Sequence, residues 1–403
     1  MSGSGATCPC CGAIMTMEDI RLEGRAGKLG SVMTAVVVDG ERGKEYRLPT
    51  PDEIQLAAEA EDHLEKVYKD IPFGLPDEPL PSKEALGFRV PLYGFDKWYK
   101  LFTPRQLLAL GTFVKWTRGA SPIIERHGCS KEWQEAILAN MAVVLDFVTN
   151  RNSLLCTWTL TRETTRSTFA RFALPITWDF AEPAVLETGS GSYLGAIDWV
   201  SRYDDHVLSF VNANSFARTE KRSAMGQPDQ KYDVVLTDPP YYDAIPYSDL
   251  MDFFLVWLRR TLYGLSGEID EVFNDSLGPK WNNERNDGEL IDDSSRFAGD
   301  RQKSKAVYED GMSRAFQACH TSLVPDGRMV VVFANKQPDA WESLVSAIIR
   351  AGFVVDGSWP IQTEMGNRTR ALASAALASS VWLVCKKRPE TARLGWDAQV
   401  LEE

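Results

Sequence analysis

The stretch Tyr232-Asp233-Val234-Val235-Leu236-Thr237-Asp238-Pro239-Pro240-Tyr241 decides how this chain is read. Its first six residues form a short apolar run of the buried-strand type. Asp-Pro-Pro then stops the strand, because each proline fixes φ and removes a backbone donor. In an open α/β sheet, ligands bind beyond the carboxyl ends of the strands. A strand that ends this way presents the Asp238 carboxylate, the proline carbonyls and the flat face of Tyr241 at that place. The carboxylate and carbonyls are acceptors suited to an exocyclic amine, and the ring is a surface on which a heterocycle can stack.

Working outward, the pattern predicts a helix over Ser248–Arg260 and another over Lys305–Leu323, closed by Pro325-Asp326-Gly327. A strand follows over Arg328–Ala334. Asp339 and Glu342 have capping-box spacing and open a helix that ends at Gly352. Two more strands are expected over Phe353–Ile361 and Ser380–Lys386. Strands alternating with helices give an α/β doubly wound sheet. Upstream lie an expected strand over Ser31–Val38 with an Asp39-Gly40 turn, an exposed acidic helix over 53–70, a Pro-rich connector and a long, mostly buried helix over 131–150. The expected division is 1–50, 51–130 and 131–395.

The chain has 403 residues and a net charge of −12, which first argues against nucleic acid. Residues 51–86 and 266–300 each carry ten acids and three bases, so the rest of the chain is near +2. Residues 87–120 hold six Lys or Arg against one acid, with eight aromatics between them. That composition suits phosphate neutralisation and base stacking, with Lys97, Lys100 and Arg105 as candidates. It equally suits a packed helix whose aromatics turn inward while its cations stay wet. The acidic, Asn- and Ser-rich 266–300 reads as a mobile loop. Seven cysteines, an odd number, give no disulfide framework, and no secretory signal opens the chain, so a cytoplasmic setting is expected. No apolar run reaches the ~18 residues of a membrane span.

Asp238-Pro239-Pro240-Tyr241 resembles the DPPY motif of amino methyltransferases that use S-adenosylmethionine (SAM) to methylate adenine N6 or cytosine N4. Asp238–Leu258, Leu323–Lys336, Ser379–Lys386, Gly94–Leu110 and Ser167–Glu182 together resemble adenine-specific DNA methylases that contain a Zn-ribbon. The resemblance implies a SAM-methyltransferase-like doubly wound sheet with an N-terminal half zinc ribbon and a helical insert. It implies methyl transfer to adenine N6 in DNA, with Asp238 and the Pro239 carbonyl accepting from the amine. Tyr241 would hold the extruded base, and Asp238, Pro239, Pro240 and Tyr241 would form the reacting site, flanked by Tyr242 and Asp243. Phe102-Thr103-Pro104 is similar to a helix start that lies along SAM in such enzymes, and also reads as a plain N-cap followed by Pro at N1. Arg368 and Arg370, between the last two strands, are placed to meet phosphate and read equally as part of a solvated loop.

Two features depart from that pattern. A Gly-rich cofactor loop normally follows the first strand, yet the candidate here, Val185–Gly195 with Glu187, Gly189 and Gly191, leaves little room before Asp238 and reads also as a surface loop near the substrate. Only Val207–Val211 offers an intervening strand, and it ends in Asn-Ala-Asn. Zinc needs four ligands, and Cys8 with Cys11 forms a single C-x2-C pair, with Cys10 or His127 and Cys129 as weaker additions. Both departures suggest the C-terminal portion of a longer enzyme, partnered by an upstream polypeptide that carries the Gly-rich loop. The rival readings are a non-catalytic DNA-binding subunit or decayed fragment, and a cytosine-N4 or RNA methyltransferase.

Overall fold

In the computed structural model the described residues are 5–170, 173–211, 217–226, 229–242, 245–361, 380–389 and 391. They form a mixed α/β protein with one four-stranded sheet and three two-stranded pairs. The expected three-part division follows composition. By compactness the chain forms two units, Met1–Thr219 with Tyr247–Pro279, and Glu220–Pro246 with Lys280–Glu403.

In the first unit, β1 (Gly5–Thr7) and β2 (Ile14–Thr16) make an antiparallel hairpin whose connection carries Cys8 to Cys11. A Thr16–Asp19 capping box opens α1 (Met17–Arg25). The strand expected over Ser31–Val38 starts later, as β3 (Val36–Gly40), and it pairs with β4 (Gly43–Arg47). Asp39 and Gly40 belong to the ladder, and Glu41-Arg42 makes the turn. The acidic helix divides into α2 (Pro51–Glu59), a 3-10 turn and α3 (Leu64–Tyr68). Thr50 caps α2, with Pro51 at its first turn.

Then come α4 (Pro104–Gly119), α5 (Ser121–Arg126), α6 (Lys131–Asn150), the short pair β5 (Trp158–Thr159) and β6 (Thr164–Thr165), and α7 (Tyr193–Phe210). Val207–Val211 is therefore no strand; it is the last turn and cap of α7. Helices α8 (Tyr247–Leu262) and α9 (Gly267–Val272) complete the unit. Leu138 and Ala142 of α6 pack with Leu262 and Phe273. The aromatics of 87–120 are largely core. Phe88 and Trp98 are fully buried, and Phe102 stacks on Phe253 at 5.7 Å and meets Trp257 edge-on at 5.5 Å.

In the Pro-rich connector the carbonyls of Pro76 and Glu78 accept from the Tyr99 and Trp98 N–H groups, and one buried side chain supplies donors to others. Arg260, fully buried, donates to the carbonyls of Gly74 (2.7 Å), Leu75 (2.8 Å) and Val256 (2.8 Å). It also donates to both carboxylate oxygens of Glu78, at 2.8 and 3.0 Å. Buried backbone acceptors are thus satisfied by a guanidinium where regular structure cannot satisfy them.

The second unit holds β7 (Tyr232–Thr237), α10 (Arg301–Ser322), β8 (Leu323–Phe333), α11 (Pro338–Arg350), β9 (Phe353–Ile361) and β10 (Ser380–Lys387). The strand order is β7-β8-β10-β9, with β7 parallel to β8 and β10 antiparallel to both of its neighbours. Tyr308, Met312 and Phe316 of α10 and Leu344 and Ile348 of α11 pack with Met329, Val331 and Phe333, so both helices cover one face. Gln337 precedes α11 without a side-chain cap, so Asp339 and Glu342 do not form the expected capping box; Asp339 already lies inside the first turn.

Among the described residues the strand read as buried lies at the edge of its sheet. Val234 and Leu236 are 59% and 60% exposed, because they point away from α10 and α11. Nor is 266–300 a structureless loop. It contains α9, and Phe273, Leu290, Ile291 and Phe297 are buried. Its first part joins one unit, where the Gly278 N–H donates to Asp252 at 2.6 Å, and Lys280 to Asp300 join the other. Among the described residues no helix is long and apolar enough to cross a membrane.

Candidate active site

β7 ends at Thr237, whose hydroxyl donates to the Val330 carbonyl at 3.3 Å and ties the strand end to β8. From there the chain turns sharply. The Tyr242 N–H donates to the Pro240 carbonyl at 2.9 Å, and Tyr242 has φ +61, a left-handed conformation costly for a side chain of this size. Three contacts hold it there. Tyr308 donates its hydroxyl to the Pro240 carbonyl at 2.9 Å. The Asp292 N–H donates to the Tyr242 carbonyl at 3.2 Å. The buried Tyr242 ring meets Tyr308 edge-on at 5.2 Å.

Tyr241 is fixed from the other side. Its carbonyl accepts from Asn335 Nδ2 at 3.2 Å, and its half-buried ring meets Phe333 edge-on at 5.4 Å. Asn335 is itself held by its neighbours: its Oδ1 accepts from the Gln337 N–H at 2.9 Å and its carbonyl from Trp341 Nε1 at 2.9 Å. The carbonyls of Pro240, Tyr241 and Tyr242 are therefore spoken for. The exposed Asp238 carboxylate and the Pro239 carbonyl accept no hydrogen bond from the described residues. The two acceptors are consecutive in the chain, and the three carbonyls that follow them are held by hydrogen bonds.

Tyr308, Asn335 and Asp292 had no signal in the sequence that tied them to this loop. Asn335 had the nearest thing to one, as a polar residue just past the end of the strand beside β7. Asp243 lies outside the described residues, as do Arg368 and Arg370.

The other expected residues belong to the first unit. Phe102 is in its core, and Thr103 caps α4 through a capping box with Gln106. The Thr103 hydroxyl also donates to Glu182 at 3.2 Å, and Pro104 opens the helix, so the plain helix-start reading accounts for all three. Gly189 and Gly191 have φ +125 and +89, and no strand leads into them; the segment is a turn that ends at Ser192, the N-cap of α7. A Cβ on Gly191 would fall 2.9 Å from the Pro183 side chain, so packing alone explains that glycine. Among the described residues this segment does not form the strand–Gly-rich loop–helix that cradles a nucleoside cofactor; it has the form of a surface turn.

Lys97 lies 3.5 Å from Asp77, Lys100 2.6 Å from Asp96, and Arg105 3.1 Å from Glu182. These three cations are paired with carboxylates, and two of the carboxylates, Asp77 and Glu182, come from outside the segment.

Cys8–Gly12 forms a tight turn. The Cys8 N–H donates to Ala13 O at 2.8 Å, the Gly12 N–H to Cys8 O at 2.9 Å, and Gly12 takes φ +74. Backbone N–H groups of Cys11 and then Cys10 are directed at the Cys8 sulfur and hold its thiol below the ordinary value. Two thiols fit half of a tetrahedral zinc set. Among the described residues no third Cys, His, Asp or Glu joins them, and His127 with Cys129 forms no cluster either.

Compared with protein-family models, curated proteins and solved structures, the chain finds no match in any of the three.

Proposed function

We propose that this chain is the base-recognising portion of a methyltransferase that acts on the exocyclic N6 amine of adenine in DNA, with SAM as the methyl donor. The observation that carries the proposal is the pair of unengaged acceptors, Asp238 and the Pro239 carbonyl, on a loop locked by Tyr308 and Asn335. An aromatic amine is a weak nucleophile because its lone pair is delocalised into the ring. Two acceptors on its N–H bonds favour a tetrahedral nitrogen and restore that lone pair. Tyr241 then orients the base, which must leave the duplex stack to reach the loop. The half-sheet supports the same reading. A parallel pair bearing the site at its carboxyl end, followed by an antiparallel strand inserted between β8 and β9, fits one half of a doubly wound sheet. Cys8 and Cys11 would hold zinc together with two ligands from elsewhere.

A second reading, a DNA-binding subunit without catalysis of its own, is favoured because the described residues form no strand–Gly-rich loop–helix, and it is separated by experiment. Asp238→Ala removes an exposed carboxylate that makes no described contact, so the thermal midpoint should stay unchanged while methyl transfer to DNA is abolished. Tritium incorporation equal to that of the unaltered protein takes Asp238 out of the reaction.

A further inference from the structure

We propose that the end of the four-stranded sheet opposite Asp238 carries a phosphate site. Lys231, His320, Lys387 and Arg388 converge there and take the dianionic phosphate group of a small ligand, as free phosphate or as a phosphate monoester. The site lies wholly within the second unit and does not rest on the methyltransferase reading.

Three pieces of chain bring these residues together. Lys231 immediately precedes β7, and its Nζ donates to the Thr321 carbonyl at the end of α10. Lys387 ends β10, and its Nζ donates to the Leu323 carbonyl at 2.7 Å. The N–H of the next residue, Arg388, donates to the Gly352 carbonyl at 2.8 Å, just past α11. His320 stands in the last turn of α10, with its ring edge-on to Phe353 at 5.1 Å. Its Nε2 reaches Gly352 so closely that a Cβ there would lie 3.3 Å away. Lys231 and Arg388 are exposed, and His320 and Lys387 are half-buried. β7 has six residues at about 3.3 Å each, so the cluster lies roughly 20 Å from Asp238.

Cations at a helix C-terminus ordinarily neutralise its last carbonyls, and Lys231 and Lys387 do this for α10. The charge gathered here exceeds that role. A helix C-terminus amounts to about −0.5 elementary charge. Lys231, Lys387 and Arg388 are full cations, and each ammonium has given one of its N–H groups to a carbonyl. Among the described residues none of the four side chains forms an ion pair, although Asp233 and Asp326 lie near the starts of β7 and β8. Asp229, two residues before Lys231, pairs with Arg222 at 3.3 Å, and Asp356 pairs with Lys386. Burial, and then the charges of Lys387, Arg388 and Lys231, hold the His320 imidazole below its ordinary value. Burial and Lys231 lower Lys387 in the same way. In a chain of net charge −12, cations held together without a carboxylate leave a site that an anion completes. A phosphate monoester carries about −1.5 to −2 near pH 7 and accepts several charge-assisted hydrogen bonds at once. The aromatic ring beside the cluster, Phe353, is buried, so the phosphate group itself is what the site recognises.

The test titrates inorganic phosphate into the chain at low ionic strength, against sodium chloride of equal ionic strength, and follows the histidine ring signals by NMR. The chain has four histidines, so the signal missing from His320→Gln assigns His320. We expect saturable binding with a constant of about 1 mM or tighter. The His320 titration midpoint should rise by roughly half a pH unit or more, because an adjacent anion favours the imidazolium. Lys387→Gln and Arg388→Gln should each weaken phosphate binding by roughly 3- to 10-fold. Lys387→Gln also removes a donor to the Leu323 carbonyl, whereas Arg388→Gln keeps its backbone bond to Gly352 and should leave the thermal midpoint unchanged. A parallel titration with adenosine monophosphate separates the two sources: tighter binding than phosphate makes the monoester the ligand, and equal or weaker binding makes it free phosphate. The proposal is overturned if phosphate moves His320 no further than chloride does, or if Arg388→Gln binds phosphate as the unaltered chain does. A short DNA duplex that moves His320 where phosphate and the monophosphate do not also overturns it, and makes the cluster a nucleic-acid contact. Asp238→Ala should bind phosphate unchanged, so loss of the methyltransferase reading leaves the site standing.

Discussion

Breaking the Glu78–Arg260 pair tests the organisation of the first unit most directly. Arg260 is fully buried, and its donors serve Glu78 twice and the carbonyls of Gly74, Leu75 and Val256. Glu78→Ala leaves the guanidinium with neutral carbonyls only, and an uncompensated buried charge costs about 3–5 kcal/mol. Glu78→Gln keeps one acceptor but turns an NH2 group toward the cation, so it should cost somewhat less, about 2–3 kcal/mol. Arg260→Met should be the worst of the three. It orphans three or more connector and helix carbonyls, at about 1–3 kcal/mol each. The carboxylate it leaves behind retains a partner, because Arg259 Nη1 lies 3.5 Å from Glu78. Urea unfolding followed by tryptophan fluorescence reads the effect, since Trp98 and Trp257 are buried in the same unit. A loss below about 1 kcal/mol for Glu78→Ala, or a smaller loss for Arg260→Met than for Glu78→Gln, refutes this account of the connector.

Three further outcomes are expected. Burial of Asp146 on α6 pushes its carboxyl well above the usual range, so its contribution to stability is full below the unfolded value near 3.8 and is lost as pH rises through the higher folded value. Asp146→Asn should therefore raise the thermal midpoint at pH 7 and leave it nearly unchanged at pH 3; no gain at pH 7 contradicts the assignment. Changing Lys97, Lys100 and Arg105 together to Gln should flatten the salt dependence of DNA binding by roughly 0.9 in log–log slope per phosphate contact removed. An unchanged slope means that these side chains meet no phosphate and serve intramolecular partners such as Asp77, Asp96 and Glu182. Cobalt added to the chain should give thiolate charge-transfer absorption that is lost in Cys8→Ser and in Cys11→Ser; equal spectra from all three proteins exclude the turn as a metal site.

What the sequence revealed depended on whether the deciding physics was local. β7 and β9 have the bounds expected of them, Tyr232–Thr237 and Phe353–Ile361, because turn residues bracket each apolar run. The burial of β7 was misjudged, since an apolar edge strand and an interior strand read alike until their neighbours are known. Val207–Val211 has the composition of a strand but continues the helix begun at Tyr193. The basic–aromatic segment was ambiguous for the same reason. Nothing local indicates that Asp77 or Glu182 approaches its cations, or that Phe253 fills the space beside Phe102. At the candidate site, Asp238 and the Pro239 carbonyl were legible as acceptors. The locks were not, because Tyr308 lies 68 positions from the carbonyl it holds.

The first unit closes only when Tyr247–Pro279 returns to it, and this has a consequence during synthesis. Phe102 stacks on Phe253, and the connector carbonyls wait for Arg260. A ribosome adding about 5–20 residues per second needs roughly 10–30 s to travel from Phe102 to Trp257. Throughout that interval the nascent chain carries an aromatic surface whose partners do not yet exist. Chaperone occupancy should therefore peak before α8 emerges and fall once residue 279 has cleared the exit tunnel.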